Sequence, residues 1–133
     1  FLFHFTFPIT SLTAFHLMLY GNETLLKHVV SVLLDNAIHH CNKNETEVKL
    51  ILKRDFGRYV KLRVINSGDN IPKEERERIF ERFYRVDKSH SKEVGGTGLG
   101  LSIVKHAVKI HDAKVDVASV VGEGTAITVT FPK

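Results

Sequence analysis

The chain carries the sequence Gly95-Gly96-Thr97-Gly98-Leu99-Gly100-Leu101-Ser102-Ile103-Val104-Lys105, a glycine-dense loop followed at once by an amphipathic helix. Closely spaced glycines let the backbone bend without a Cβ penalty and approach a ligand closely. The helix presents unpaired backbone N–H groups and the positive end of its dipole to an anion. The stretch is therefore typical of a loop that binds phosphate.

The spacing of these glycines excludes two common kinds of phosphate-binding loop. A Walker A loop needs Lys and Ser or Thr directly after its second spaced glycine, whereas Leu101-Ser102 follows Gly100 and the nearest lysine is Lys105. A Rossmann loop needs Gly-x-Gly-x-x-Gly after a strand, and this loop has a different spacing and follows a polar segment. A flexible linker that leads into a helix cap remains an alternative for the loop alone.

Length and composition indicate one globular domain, which we take as residues 1–133. Because the sequence starts at Phe1 without methionine, we expect it to be a piece excised from a longer chain. The single cysteine, Cys41, excludes an internal disulfide and fits a reducing compartment. No apolar run is long enough to span a membrane. The net charge of +4 includes no basic tract with interleaved aromatics, so we expect no nucleic-acid partner.

Hydrophobic periodicity predicts the element order β-β-α-β-β-α-loop-α-β-β. Strands are expected at Phe1–Phe7, Phe15–Leu19, Glu47–Lys53, Tyr59–Asn66, Lys114–Val120 and Thr125–Phe131, with Asp55-Phe56-Gly57 as a hairpin turn. Helices are expected from Asn22 to about His40, from Pro72 with Ile79, Phe80 and Phe83 on one side, and over Leu99–His111. This order favours an α+β, two-layer sandwich in which about three helices cover one face of a mixed sheet.

Two asparagines stand where apolar residues would be expected. Asn36 projects from the apolar side of the first helix, since it follows Leu33 by three residues. An unpaired buried amide costs about 1–3 kcal/mol, so Asn36 needs a partner. A hydrogen bond within the protein and a hard cation such as Mg²⁺, which prefers oxygen ligands, both satisfy that need. Asn66 ends a buried strand and starts a turn, at a point where loops often build sites.

Five segments resemble, in order and spacing, the sequence boxes of the catalytic ATP-binding domain of bacterial sensor histidine kinases. They are Leu33–Ala37 (N box), Val64–Pro72 (first glycine box), Ile79–Arg85 (F box), Gly96–Leu101 (second glycine box) and Gly122–Thr125 (last glycine box). The resemblance covers Asn22 to Pro132 and implies the Bergerat fold of the wider gyrase/Hsp90-like ATPases. It implies a protein-histidine kinase of two-component signal transduction, cytoplasmic here, with a parent anchored in the bacterial cell membrane.

The same resemblance implies ATP and Mg²⁺ as cofactors. Asn36 would hold Mg²⁺ against the ATP phosphates and is the catalytic candidate, and Asn66 occupies the place of the aspartate that reads adenine. The other candidates for cofactor binding are His39, Gly68, Asn70, Ile71, Phe83, Tyr84, His90, Lys92, Gly96, Thr97, Gly98, Leu99, Gly100, Leu101 and Thr125. Residues from about Arg85 to Gly98 would form the ATP lid, with Phe80 and Phe83 at its stem.

The phosphoacceptor motif of such kinases, a His followed by an acidic residue and a Pro, is absent from the sequence. We therefore expect this chain to bind nucleotide without phosphorylating itself. The resemblance implies that the γ-phosphoryl group passes to a histidine on a separate helical dimerisation domain, and indirectly to a response regulator.

The sequence departs from the family pattern at Asn66, which replaces an aspartate. A neutral acceptor loses about 1 kcal/mol relative to a charged one, or about fivefold in affinity, so Asn66→Asp is expected to tighten ATP binding about fivefold. Asn70 replaces a glycine, Val32 an asparagine and His39 a lysine. The chain is therefore either a working kinase domain with weakened nucleotide binding or a pseudo-kinase module that signals by contact. A serine kinase of the anti-sigma-factor type ranks below both.

Overall fold

A computed structural model of the chain describes residues 2–6, 16–41, 47–55, 57–68, 71–84, 100–120 and 124–132. The strands are β1 (Leu2–Thr6), β2 (His16–Tyr20), β3 (Val48–Asp55), β4 (Tyr59–Asn66), β5 (Lys114–Val120) and β6 (Gly124–Pro132). The α-helices are α1 (Glu23–His40) and α2 (Gly100–Ile110), and short 3₁₀ turns span Lys73–Glu75 and Arg78–Phe80. The predicted strands and these two α-helices are confirmed to within two residues at each end.

Helix α1 begins where its sequence provides a cap. The Oδ1 atom of Asn22 accepts a hydrogen bond from the Leu25 N–H at 3.0 Å, which satisfies one of the free donors of the first turn. Glu23 adds a negative charge at the positive end of the helix dipole. The stripe that α1 buries recurs every three or four residues and consists of Leu26, Val29, Leu33 and Ala37.

The main sheet has four antiparallel strands in the order β3-β4-β6-β5. The hairpin between β3 and β4 closes with a hydrogen bond from the Arg58 N–H to the Asp55 carbonyl at 3.1 Å, and Gly57 supplies a φ of 68°. The predicted turn is thus confirmed at Asp55 and Gly57, while Phe56 lies outside the described residues. Strand β4 also pairs with β6, which places Asn66 opposite Thr125.

The two-layer α+β architecture is confirmed, because α1 and α2 share one core with the inward face of the sheet. Among the described strands the pairing differs from the expected single mixed sheet. All their pairs are antiparallel, and β1 and β2 form a separate two-stranded sheet. The core joins both helices to β4 and β6 through buried residues that include Leu33, Leu62, Val64, Val104, Ala107, Ile127 and Val129.

His111 connects the end of α2 to the start of α1. Its Nδ1 atom lies 2.7 Å from the Ala107 carbonyl, and its Nε2 atom lies 3.0 Å from the Asn22 nitrogen. Because a carbonyl only accepts, Nδ1 carries the proton, and Nε2 accepts the Asn22 N–H. A Cβ at Gly21 would lie 2.6 Å from this ring nitrogen, so the chain passes His111 only with glycine there.

The helix predicted from Pro72 is wrong. The segment forms two 3₁₀ turns, closed by hydrogen bonds such as the one from the Glu75 N–H to the Pro72 carbonyl at 2.9 Å. The charged stretch before Ile79 gives a helix no apolar stripe to bury, so tertiary contacts determine its path. Arg76 provides such contacts, since its Nε donates to the Ile71 carbonyl at 3.2 Å and its Nη2 donates to Ser119 Oγ at 3.1 Å.

The side chains of this segment follow the prediction only in part. Ile79 and Phe80 are buried, as expected for an apolar side. Phe83 is 70% exposed and has a φ of 63°, so it does not join them in the core.

Gly124 and Gly57 offer a matched test of how β4 and β6 approach one another. Both have positive φ, so alanine is expected to cost about 1–2 kcal/mol at Gly57, where no atom lies within 4 Å of an added Cβ. At Gly124 the Cβ would overlap the Asn66 carbonyl oxygen, which adds about 1–3 kcal/mol of overpacking. Urea unfolding should therefore show the larger loss for Gly124→Ala. Equal losses in the two variants would contradict this account of the strand contact.

Candidate functional site

Asn66 is the last residue of β4 and points to the helix-covered side of the sheet, like Leu62 and Val64. Its side chain is 4% exposed. The Nδ2 atom donates hydrogen bonds to the carbonyl oxygen of His40 at 3.4 Å and to that of Ser67 at 3.1 Å. The end of β4 is thereby joined to the end of α1.

The partners of Asn66 determine which way its amide faces. Both are carbonyl oxygens, which accept and never donate, so the NH₂ group must face them. The Oδ1 atom consequently faces the other way, and no described residue donates to it. The site therefore offers a hydrogen-bond acceptor at the end of β4.

Asn36 lies one helical turn before His40 on α1 and is half-buried. Its neighbours Leu33 and Ala37 are buried, so the amide lies at the edge of the apolar stripe. Within the described ranges no hydrogen bond satisfies the Asn36 side chain. The sequence left two possible partners for Asn36, a hydrogen bond within the protein and a hard cation. The described residues do not provide the first of these.

The start of α2 lies against α1 at Val32, one helical turn before Asn36. A Cβ added at Gly100 would be 3.1 Å from Val32 Cγ1, so the glycine permits this close approach. Val32 and Asn36 are four residues apart and share a face of α1. The start of α2 therefore lies against the face of α1 that also carries Asn36.

The turn that follows β4 is held to the start of β3. The Ser67 N–H donates to the Glu47 carbonyl at 2.9 Å, and the Glu47 N–H donates to Ser67 Oγ at 3.1 Å. Gly68 has a φ of 140°, which disfavours any residue with a side chain. Thr125 is buried directly opposite Asn66. These contacts gather Asn66, Gly68 and Thr125 at one end of the sheet.

The other described candidates lie around this end or further along the chain. His39 is exposed, and its Nδ1 atom lies 2.7 Å from the Asp35 carbonyl. The Arg78 guanidinium lies 4.3 Å from the centre of the Tyr84 ring. Ile71 and Leu101 are half-buried, and Phe83 is exposed. Seven candidates lie outside the described residues: Asn70, His90, Lys92, Gly96, Thr97, Gly98 and Leu99.

The donor chemistry of the site suits a cation that keeps few protein ligands. Within the described residues no three His, Cys, Asp or Glu side chains are grouped to hold a metal ion. An amide oxygen at Asn36 is a hard ligand of the kind that Mg²⁺ accepts alongside phosphate oxygens.

Of the helices in the described part of the chain, none is both long and apolar enough to cross a membrane.

Sequence reasoning missed the contribution of His40. Its role in the site is through its backbone carbonyl, and a backbone group has no signature in the sequence. The spacing of Asn36 and His40 by four residues was visible, but it did not indicate a contact with Asn66.

Known proteins provide an independent comparison. Residues 21–133 match the family model described as histidine kinase-, DNA gyrase B-, and HSP90-like ATPase. The chain is 41% identical over 113 residues to the sensor-like histidine kinase SenX3 of Mycolicibacterium smegmatis, covering 85% of this chain and 29% of SenX3. The chain thus spans less than a third of that relative.

Solved structures share the fold. The mycobacterial sensor histidine kinase MprB superposes with a TM-score of 0.73 at 30% identity, covering 90% of this chain and 76% of that one. Full-length ShkA in complex with AMPPNP superposes with a TM-score of 0.71 at 26% identity, covering 84% of this chain and 22% of ShkA.

His40 gives the stability of the site a pH dependence of known sign. Partial burial, and secondly the charge of neighbouring His39, lower the pKa of His40 from its ordinary value of 6.5. The unfolded chain therefore takes up this proton first as the pH falls. The contribution to stability is complete above about pH 6.5 and is lost as the pH falls towards the lower, folded-state pKa.

Urea unfolding at about pH 7.5 and about pH 5.5 tests this sign. The loss of unfolding free energy on acidification should be smaller in His40→Gln than in the wild type. His28→Gln, which changes an exposed histidine of the same helix, serves as the control and should keep the wild-type loss. A His40→Gln loss as large as the wild type's would show that another group is responsible.

Proposed function

The chain belongs to the family of histidine kinase-, DNA gyrase B- and HSP90-like ATPases, and on this premise we propose that it is the catalytic, ATP-binding domain of a sensor histidine kinase. Its similarity to SenX3 and to MprB supports the kinase assignment within that family. Because the chain spans only 29% of SenX3, the activity of the whole parent protein is part of the proposal.

One observation carries the proposal: the start of α2 lies against Val32 of α1, one helical turn before Asn36 on the same face of that helix. The helix N-terminus offers N–H groups and a positive dipole end to phosphate oxygens. The asparagine offers an amide oxygen to a cation on the same side. The triphosphate of ATP, with its metal, is assigned to the space between them.

Asn36 is the residue that would hold Mg²⁺. When bound, the ion neutralises negative charge on the phosphates, which is the main requirement of phosphoryl transfer. The chain itself contributes position. Helix α1 holds the Asn36 amide at the edge of its buried stripe, and α2 begins against the same face of α1. Such preorganised groups lower the barrier without a covalent step on this domain.

The adenine end of the nucleotide is assigned to Asn66, whose Oδ1 accepts from none of the described residues, and to Gly68, where the backbone has no side chain. Thr125 lies across β6 from Asn66. His39, Ile71, Tyr84, Phe83 and Leu101 complete the described candidates. The second glycine box and the lid residues named above remain part of the proposal and lie outside the described residues, apart from Gly100 and Leu101.

The phosphoryl acceptor is assigned to a partner. Since the phosphoacceptor motif is absent from this sequence, the γ-phosphoryl group goes to a histidine of the helical dimerisation domain in the parent, and from there to a response regulator. The domain works on the cytoplasmic side, and contact with a membrane comes only through the parent. No observation favours the pseudo-kinase alternative, since Asn66 retains an acceptor for the base.

Asn36→Ala tests the metal assignment. The variant should bind Mg-ATP at least about tenfold more weakly than the wild type, because the ion loses its protein ligand. Both proteins should bind ATP equally in the presence of EDTA. Titration calorimetry measures these affinities, and thermal unfolding checks that the variant is folded.

The control for this experiment is Ser31→Ala, an exposed position on the same helix, which should behave as the wild type. Unchanged Mg-ATP affinity in Asn36→Ala would remove the metal from this residue. No binding of Mg-ATP by the wild type at millimolar concentration would end the proposed function.

A further inference from the structure

We propose that the outer face of the main sheet, which is the face turned away from α1 and α2, binds an acidic protein segment. Basic side chains outnumber acidic ones on this face, and three lysines lie in one row across the four strands. Asn36 and Asn66 belong to the helix-covered side. The surface is therefore separate from the proposed nucleotide site and does not depend on it.

The alternation of side chains along the strands identifies the outer face. Leu50, Leu62 and Val64 pack in the core that the sheet shares with the helices. The residues between them point the other way, because successive side chains of a strand alternate between the two faces. Ile51 and Tyr59 lie on that outer side and are 38% and 43% exposed. At these positions the outer face is open to solvent.

Positive charge predominates among the described residues of the outer face. Its basic residues are Lys49, Lys53, Lys61, Arg63 and Lys114. Its acidic residues are Asp55 and Asp116. Glu47, which precedes β3, offsets Lys49 at 3.3 Å. The surplus charge is thus carried by the other basic residues.

Three of these residues form a row across the sheet, which we call the lysine row. Lys53 lies directly opposite Lys61, and Thr130 pairs with both Lys61 and Lys114. Neighbouring strands are about 4.8 Å apart, so the row from β3 to β5 spans about 14 Å. An acidic segment that lies across the strands can therefore meet all three ammonium groups.

The lysine row does not stabilise the isolated domain. Like charges directly opposite one another on neighbouring strands are destabilising, and Lys53 faces Lys61 in this way. Asp55 offsets Lys61 at 2.7 Å, but no described residue forms an ion pair with Lys53 or Lys114. Two positive charges are consequently left for a partner to neutralise.

Arg63 adds a group suited to carboxylates beside the row. It is half-buried between Ile51 of β3 and Thr128 of β6. Its Nε atom is buried and has no hydrogen-bond partner within the described residues, so no internal ion pair occupies the guanidinium. A planar guanidinium binds a carboxylate with two parallel hydrogen bonds more readily than an ammonium does.

The composition of the face favours a protein partner over an anionic membrane. Asp116 lies across Thr128 from Arg63, and Asp55 lies next to the lysine row. A uniformly anionic bilayer would repel both carboxylates, whereas a protein segment can offer each of them a donor. Exposed Tyr59 and half-buried Arg63 are also residue types that are enriched in protein interfaces.

Fluorescence anisotropy with a labelled oligoglutamate peptide tests the proposal. The chain should bind the peptide, and the affinity should fall as salt is added. The double variant Lys53→Gln with Lys114→Gln and the single variant Arg63→Gln should each bind at least about threefold more weakly. Loss of Lys53 removes a like-charge contact, so thermal unfolding should show a double variant at least as stable as the wild type.

The matched control is the double variant Lys27→Gln with Lys109→Gln. It removes the same charge from exposed positions on α1 and α2. Its peptide affinity should stay within about twofold of the wild type, which separates the outer face from net charge. Asn36→Ala should bind the peptide as the wild type does, and excess Mg-ATP should not displace it.

Four results would overturn the inference. They are no peptide binding at millimolar concentration in low salt, equal weakening in the two double variants, displacement of the peptide by Mg-ATP, and tighter binding to phosphatidylserine vesicles than to the peptide through the same residues. The last would assign the face to a membrane. Each leaves the nucleotide proposal standing, because that proposal is tested by Mg-ATP affinity alone.

Discussion

The burial of one helical stripe underlies the rest of this structure. Leu26, Val29, Leu33 and Ala37 are almost completely removed from water, and each such aliphatic side chain contributes roughly 1.5–3 kcal/mol, with less for alanine. That packing determines the rotation of α1 about its axis. The rotation in turn places Asn36 at the edge of the stripe and directs the His40 carbonyl to Asn66. The positions of the site residues on α1 thus follow from the packing of the core, and looser core packing would displace them.

Polar groups of the site are held mainly by backbone atoms. The Asn66 amide meets two carbonyls, the turn after β4 bonds to Glu47, and Gly100 lets one helix touch another. Backbone groups on helices and strands move little and carry no side-chain entropy, which makes them good anchors for a preorganised site. Substitution of neighbouring side chains alters such anchors only indirectly.

The sequence was most informative where periodicity and burial agree. The strands Tyr59–Asn66 and Lys114–Val120 were predicted with their observed ends, because alternation is strict in sheets with one buried face. The helix from Pro72 failed because Lys73 to Arg78 has no apolar period, and Arg76 there bonds to β5 instead. Asn36 was found because a polar residue on an apolar face needs a partner, and Asn66 because it ends a buried strand at a turn. The hydrogen bond from Asn66 to the His40 carbonyl could not be predicted, because it depends on how α1 and β4 approach one another and neither segment has a sequence pattern that indicates it.

The two ends of α2 make contact with the same helix. His111 bonds to the nitrogen of Asn22 before the first turn of α1, and Gly100 meets Val32 past its middle. At 1.5 Å per residue α2 is roughly 16 Å long. Because both ends of α2 are held in this way, the helix cannot rotate about either contact alone. A displacement of the chain at Gly21 is therefore expected to change the packing at Gly100 as well.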